Sequence, residues 1–147
     1  MTDWFHGYVL AVDPGGTTGW VLMADETGHV MSWGEEPDRK KFLDFVWDLL
    51  MADALFGIVC ERWVTMRGRA FTNEPTAQEI IGALRWMSEY TDTVFKEQGA
   101  ADAKAFGGKD ALAAYPEVGK GGAGHAKMAL RHALLYRATT LQGKRLT

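Results

Sequence analysis

The sequence contains a single cysteine, no apolar run near the length of a membrane span, and no acidic residue anywhere from Val118 to the last residue. Each shortage narrows the reading. Cys60 has no partner for an internal disulfide, which sets aside a disulfide-stapled scaffold. Sitting in the apolar run FGIVC, it reads as a small core hydrophobe in a reducing compartment. A bilayer-spanning helix needs ~20 apolar residues, and no charged segment followed by an apolar one marks the chain for export. The expectation is a cytoplasmic protein with no membrane partner. There is no internal repeat and no long tract of disordered composition, so the 147 residues read as one domain, 1–147, large enough to close a core over a sheet.

The missing acidic residues expose an asymmetry. The net charge of −3 argues weakly against nucleic acid as a partner. Yet Lys120, Lys127, Arg131, Arg137, Lys144 and Arg145 all fall after Val118, leaving ten basic against nineteen acidic residues before it. An acidic body with a basic final segment suits a surface that binds metal and contacts phosphate; a solvated tail would have the same composition.

Hydrophobic periodicity supplies the architecture. Tyr8–Val12 is an aliphatic run stopped by Asp13-Pro14-Gly15-Gly16, the pattern of a buried strand ending in a turn. Gly19–Met23 and Gly28–Trp33 follow as two strands of a hairpin about Asp25-Glu26-Thr27. Phe42, Phe45, Val46, Leu49 and Leu50 then recur with helical spacing, predicting a helix over Arg39–Ala52. Phe56–Cys60 is continuously apolar, as a strand covered on both faces would be, and Glu61 ends it. After an Arg- and Gly-rich loop from Arg62 to Asn73, a helix is expected over Thr76–Tyr90, with Pro75 in its first turn. A short strand over Thr93–Phe95, a helical Gly99–Leu112, a flexible linker over Gly119–Gly124 and a last helix over His125–Ala138 complete the chain. Three meandering strands followed by alternating helices and strands imply an α/β fold: a mixed five-stranded sheet flanked by helices.

Two carboxylates stand out. Asp13 and Glu61 each terminate a fully apolar strand, and in a mixed sheet the first and fourth strands are natural neighbours. Side by side, the two charges would repel and raise each other's pKa unless a cation lay between them. Mg²⁺ or Mn²⁺ suits oxygen ligands of this kind. Two plainer readings stand beside this one: Asp13 bonded to turn amides, and Glu61 neutralised by Arg62.

The run VLAVDPGGTTGW, the strand-then-Glu of GIVCERW and the terminal HAKMALRHALLY resemble the motifs of the RuvC-like Holliday junction resolvases, above all the small phage versions, along nearly the whole chain. The resemblance implies a ribonuclease H-like fold, a homodimer acting on four-way DNA junctions, and phosphodiester hydrolysis with two divalent ions. It implies carboxylates on the first strand, the fourth strand and the last helix. Asp13 and Glu61 match the first two positions, and a phage-encoded enzyme would work in a bacterial host cell. On the last helix His125 fits the motif, but Met128 stands where the final carboxylate belongs. A thioether is a poor Mg²⁺ ligand. His132 shares a helical face with His125 and Met128, which makes it the substitute ligand; a hydrogen-bonded core histidine is the plainer reading.

For DNA, Arg62, Arg67 and Arg69 are interleaved with Trp63 and Phe71 in the loop after Glu61. Cations would contact phosphate there, and by resemblance Phe71 would pry at the junction centre. Lys104, Lys109, Lys120 and Lys127 are further phosphate candidates, and Thr17 and Thr18 either donate to phosphate or close their turn. Three alternatives remain in view: a nuclease of the same fold acting on RNA hybrids or flaps, a junction-binding protein silenced by Met128, and a sugar-kinase-like ATP site. For the last, 147 residues are too few to hold two duplicated lobes.

Overall fold

The computed structural model describes residues 7–62, 75–106 and 108–146, with side chains as far as residue 140. Its strands are β1 (Tyr8–Asp13), β2 (Thr18–Ala24), β3 (Val30–Glu36), β4 (Leu55–Glu61) and β5 (Val94–Gln98). Its helices are α1 (Arg39–Met51), α2 (Thr76–Tyr90), α3 (Ala100–Phe106), α4 (Lys109–Ala113) and α5 (Gly124–Leu146). The strands form one mixed sheet in the order β3-β2-β1-β4-β5. The β1–β2 and β2–β3 pairs are antiparallel, while β1–β4 and β4–β5 are parallel. Among the described residues no helix is long and apolar enough to cross a membrane.

Strand alternation divides the core in two. Leu10, Val12, Ile58 and Cys60 turn to one face and pack on Phe42, Val46 and Leu50 of α1 and on Ile80, Ile81 and Leu84 of α2. Val9, Ala11, Val21, Met23 and Val59 turn to the other face, against Ala126, Ala129, Leu130, Ala133 and Tyr136 of α5. Because both faces are covered, β1 and β4 read as continuous apolar runs rather than alternating ones. The α1 helix starts where expected, with the Asp38 carboxylate accepting from the Lys41 N–H at 3.1 Å. Three alanines on the buried face of α5 let that helix lie close on the sheet.

Four elements differ from the expected ones. β5 runs on through Gln98, because parallel pairing sets Lys96, Glu97 and Gln98 against Val59, Cys60 and Glu61. Backbone pairing, rather than apolar pattern, makes those polar residues a strand. The region Gly99–Leu112 holds two short helices, α3 and α4, in place of one. The glycine tract is a folded turn rather than a flexible linker: Gly119, Gly121 and Gly122 all adopt positive φ, and Val118 before them is buried. Finally, α5 continues well past Ala138, to Leu146.

Candidate active site at the end of the sheet

The strand registers align one residue from every strand in a row across the end of the sheet. Asp13 pairs with Gly19, and Gly19 with Glu35. On the other side Asp13 follows the Val12–Cys60 pair, which sets it beside Glu61, and Glu61 pairs with Gln98. By alternation the row Glu35-Gly19-Asp13-Glu61-Gln98 faces α5, as Ala11 and Val59 do. Three of its five members are acids.

The helix α5 crosses this row and touches it at both ends. Its start is anchored by Glu35, whose Oε2 accepts from the Ala126 N–H at 3.1 Å. A carboxylate there is stabilised by the free N–H groups and dipole of the helix N-terminus. Gly19 permits the approach: a Cβ on it would lie 2.2 Å from the carbonyl carbon and oxygen of His125. One turn of docking thereby brings His125 Nδ1 to 3.1 Å from Asp13 Oδ2. Farther along, His132 Nε2 lies 3.1 Å from Glu61 Oε1, and His132 Nδ1 lies 3.0 Å from the Gln98 amide. His132 is completely buried, and Met128, between the two histidines in sequence, is half-buried.

Electrostatics single out Asp13 in the row. Burial pushes the Asp13 carboxyl up to about 6, and the nearby Glu61 adds to the rise; His125 and His132 oppose it without cancelling it. As donors, two carboxylates facing the same way suit a hard divalent cation, and a cation between them would relieve their repulsion. Among the described residues no three His, Cys, Asp or Glu side chains converge tightly enough to form a ready-made metal cage. The two carboxylates therefore fit one such ion by their chemistry, while Met128 offers nothing to a second.

The remaining candidates fall in separate places. Arg62 does not neutralise Glu61, whose partner is His132; its backbone N–H is held by Gln98 O at 2.7 Å, and with Lys96 and Phe106 it lines an open groove of about 620 Å³ that Gln98 also borders. Lys109 and Lys127 meet across a groove of about 270 Å³ between α4 and α5. Lys104 and Lys120 are exposed. Thr18 is buried and closes its turn on Gly15 O at 3.4 Å. Arg137 of the basic segment is committed to the carbonyls of Asp25 and Glu26. Trp63, Arg67, Arg69 and Phe71 lie outside the described residues. Three participants escaped the sequence reading: Glu35, Gly19 and Gln98. Gln98 carries the same signal as Asp13 and Glu61, a polar residue closing a strand, but the expected strand stops at Phe95 because Lys96 and Glu97 before Gln98 are polar.

The order of the sheet, the parallel β1–β4 pair and the final helix across the carboxylate row define a ribonuclease H-like fold of the RuvC type. The chain is similar in structure to Thermus thermophilus RuvC in complex with Holliday junction substrate, with a TM-score of 0.72 at 16% identity over 94% of this chain and 97% of that one. A second Thermus thermophilus RuvC structure matches with a TM-score of 0.69 at 15% identity, over 92% and 96% of the two chains. No protein-family model matches the sequence, and no curated protein matches it.

Proposed function

We propose that the chain is a structure-selective DNA endonuclease that cleaves Holliday junctions or other branched DNA with the help of Mg²⁺ or Mn²⁺. The observation that carries this reading is the pair Asp13 and Glu61, set side by side at the end of two parallel strands, where burial and the nearby Glu61 raise the Asp13 carboxyl. They are the residues that would hold the cation, which when bound activates water and offsets charge on a phosphodiester. His125 is the third member. Its Nδ1 is held by Asp13 while the ring stays half exposed, so Nε2 is the atom that turns to a bound phosphate, to move a proton or to add a ligand.

Branched DNA is favoured because one of the similar structures was solved with a Holliday junction. Phosphates would be met by Arg62 beside Glu61, by Lys109 and Lys127 at their shared groove, and by Lys104 and Lys120. Arg67, Arg69 and the wedge Phe71 complete the proposed surface. Two incisions on a symmetric junction need two sites, hence a two-fold homodimer. Exposed Gly82, Trp86 and Tyr90 recur every four residues on α2, offering a knob and a hollow that a two-fold axis can interlock. Sedimentation at high micromolar concentration should give a dimer; a monomer that binds the junction one-to-one rejects it.

The test of the main reading is a cleavage gel on a synthetic four-way junction, a flap and a plain duplex, each in Mg²⁺ and in Mn²⁺. Paired cuts confined to the junction are expected. Equal cutting of duplex removes the structural selectivity, and cutting of the flap alone moves the substrate. Tight junction binding with no cut in either metal favours the alternative of a silent junction binder, for which Met128 is the specific observation.

A further inference from the structure

Both ring nitrogens of His132 are engaged inside the protein, and the partners decide which nitrogen carries the proton. The Gln98 amide has one orientation that satisfies all its neighbours. Its nitrogen then donates to the His132 carbonyl at 3.1 Å and to His132 Nδ1 at 3.0 Å, while its oxygen accepts from the Tyr136 N–H at 3.3 Å. In the reverse orientation the amide oxygen would face the His132 carbonyl, which can only accept, and the NH₂ would face the Tyr136 N–H, which can only donate. Gln98 thus clasps the backbone of α5 across the His132–Tyr136 turn and presents an N–H to Nδ1. Nδ1 must then be the acceptor and Nε2–H the donor, and the group Nε2 faces is Glu61 Oε1, at 3.1 Å.

From this geometry we propose that Gln98 and His132 are a positioning pair for Glu61: they hold one carboxylate oxygen, Oε1, and leave Oε2 to the cation, with the imidazole itself outside the cation's shell. The inference rests on the reading that Asp13 and Glu61 bind a divalent ion. Its physical logic is a division of labour. A lysine or arginine in place of His132 would orient Glu61 but cancel the charge that attracts the cation. A neutral N–H donor orients it and leaves the charge intact. A ligating imidazole would need its lone pair on Nε2 and its proton on Nδ1, which would set that N–H against the Gln98 NH₂. Complete burial of His132 makes the support rigid, whereas the Glu61 side chain is 23% exposed and would otherwise be free to swing.

The probe is Mn²⁺ alone, titrated calorimetrically into the full chain without DNA. His132→Leu is expected to weaken Mn²⁺ binding by about ten- to a hundredfold, the usual effect of losing a group that orients a ligand. His132→Gln, which can place an amide N–H near the position of Nε2, should stay within about threefold of the wild type, and Gln98→Leu should fall between the two. Junction binding measured without divalent metal should not change in any of the three. Pulsed EPR of bound Mn²⁺ should give the same nitrogen coupling in the wild type and in His132→Gln. A nitrogen coupling that disappears in His132→Gln makes the imidazole a ligand and overturns the proposal. So does wild-type Mn²⁺ affinity in His132→Leu or, if that variant does not fold, in Gln98→Leu. Asp13→Asn separates the two levels of the argument. If it loses Mn²⁺ while the His132 and Gln98 variants do not, the positioning pair alone is wrong. If it binds Mn²⁺ as the wild type does, the cation reading falls and the pair with it.

Discussion

The carboxylate row has two corners built from the same parts. At one, Asp13 meets His125, and at the other Glu61 meets His132, each with a nitrogen–oxygen distance of 3.1 Å. Their burial is reversed. At the first corner the acid is sheltered, with 12% of its side chain exposed, and the imidazole is open at 52%; at the second the imidazole is at 0% and the acid at 23%. Equal contacts therefore do unequal work. Where the acid is buried its ionisation is resisted, as the rise of Asp13 to about 6 records, and the histidine is free to meet a substrate. Where the histidine is buried it becomes a fixed support, and the acid is what the surface presents.

Five variants would break or sharpen that contrast, the largest effect first. On the proposed cation reading, Asp13→Asn and Glu61→Gln should each reduce junction cleavage by about a thousandfold or more while sparing junction binding, because both acids would hold the same ion. A cleavage rate within tenfold of the wild type for either would remove that acid from the chemistry. Stability should then distinguish the corners. His132→Leu is expected to cost about 2–4 kcal/mol in urea unfolding, since it strands Gln98 and Glu61 without their donor or acceptor. His125→Ala should stay within about 0.5 kcal/mol, as surface pairs do. Similar losses for both would mean that burial does not separate them.

Between the corners, Met128→Asp should raise the Mg²⁺-dependent rate by about tenfold or more if a ligand was lost there. An unchanged rate with a lowered melting temperature would make Met128 a packing residue and nothing else. The smallest effect is one of pH. In metal-free protein Asp13 holds its proton more tightly when folded, at about 6, than at its ordinary value of 3.8. The folded state consequently gains stability as pH falls between those values and loses it as pH rises through about 6. Asp13→Asn should remove this slope and raise the melting temperature at pH 7 by a few degrees. A steeper slope, or a lower melting point at pH 7, would contradict the strained-acid account of the first corner.

Particular elements explain how far the sequence could be read. β1 and β4 were legible because a strand covered on both faces must be apolar throughout, and a charge at its end is conspicuous. α1 and α2 were legible from helical spacing, and α5 from where it begins. β5 was cut short because its polar residues owe their extended form to pairing with β4. The glycine turn was not legible because composition reports the freedom of a glycine and not the positive φ that a turn takes from it.

The same distinction runs through the site. The sequence by itself determined that Asp13 and Glu61 close buried strands and that His125, Met128 and His132 share one helix, since these follow from local periodicity. Only the tertiary structure decided what those side chains do. Glycine at position 19 admits the α5 backbone, Glu35 secures its first turn, and Gln98, 34 residues away in the chain, sets the tautomer of His132. His125 and Asp13 meet across 112 residues. A carboxylate's charge is written at its own position, but its burial, its hydrogen-bond donor and the oxygen it leaves free depend on contacts that exist only after the helix has docked on the sheet.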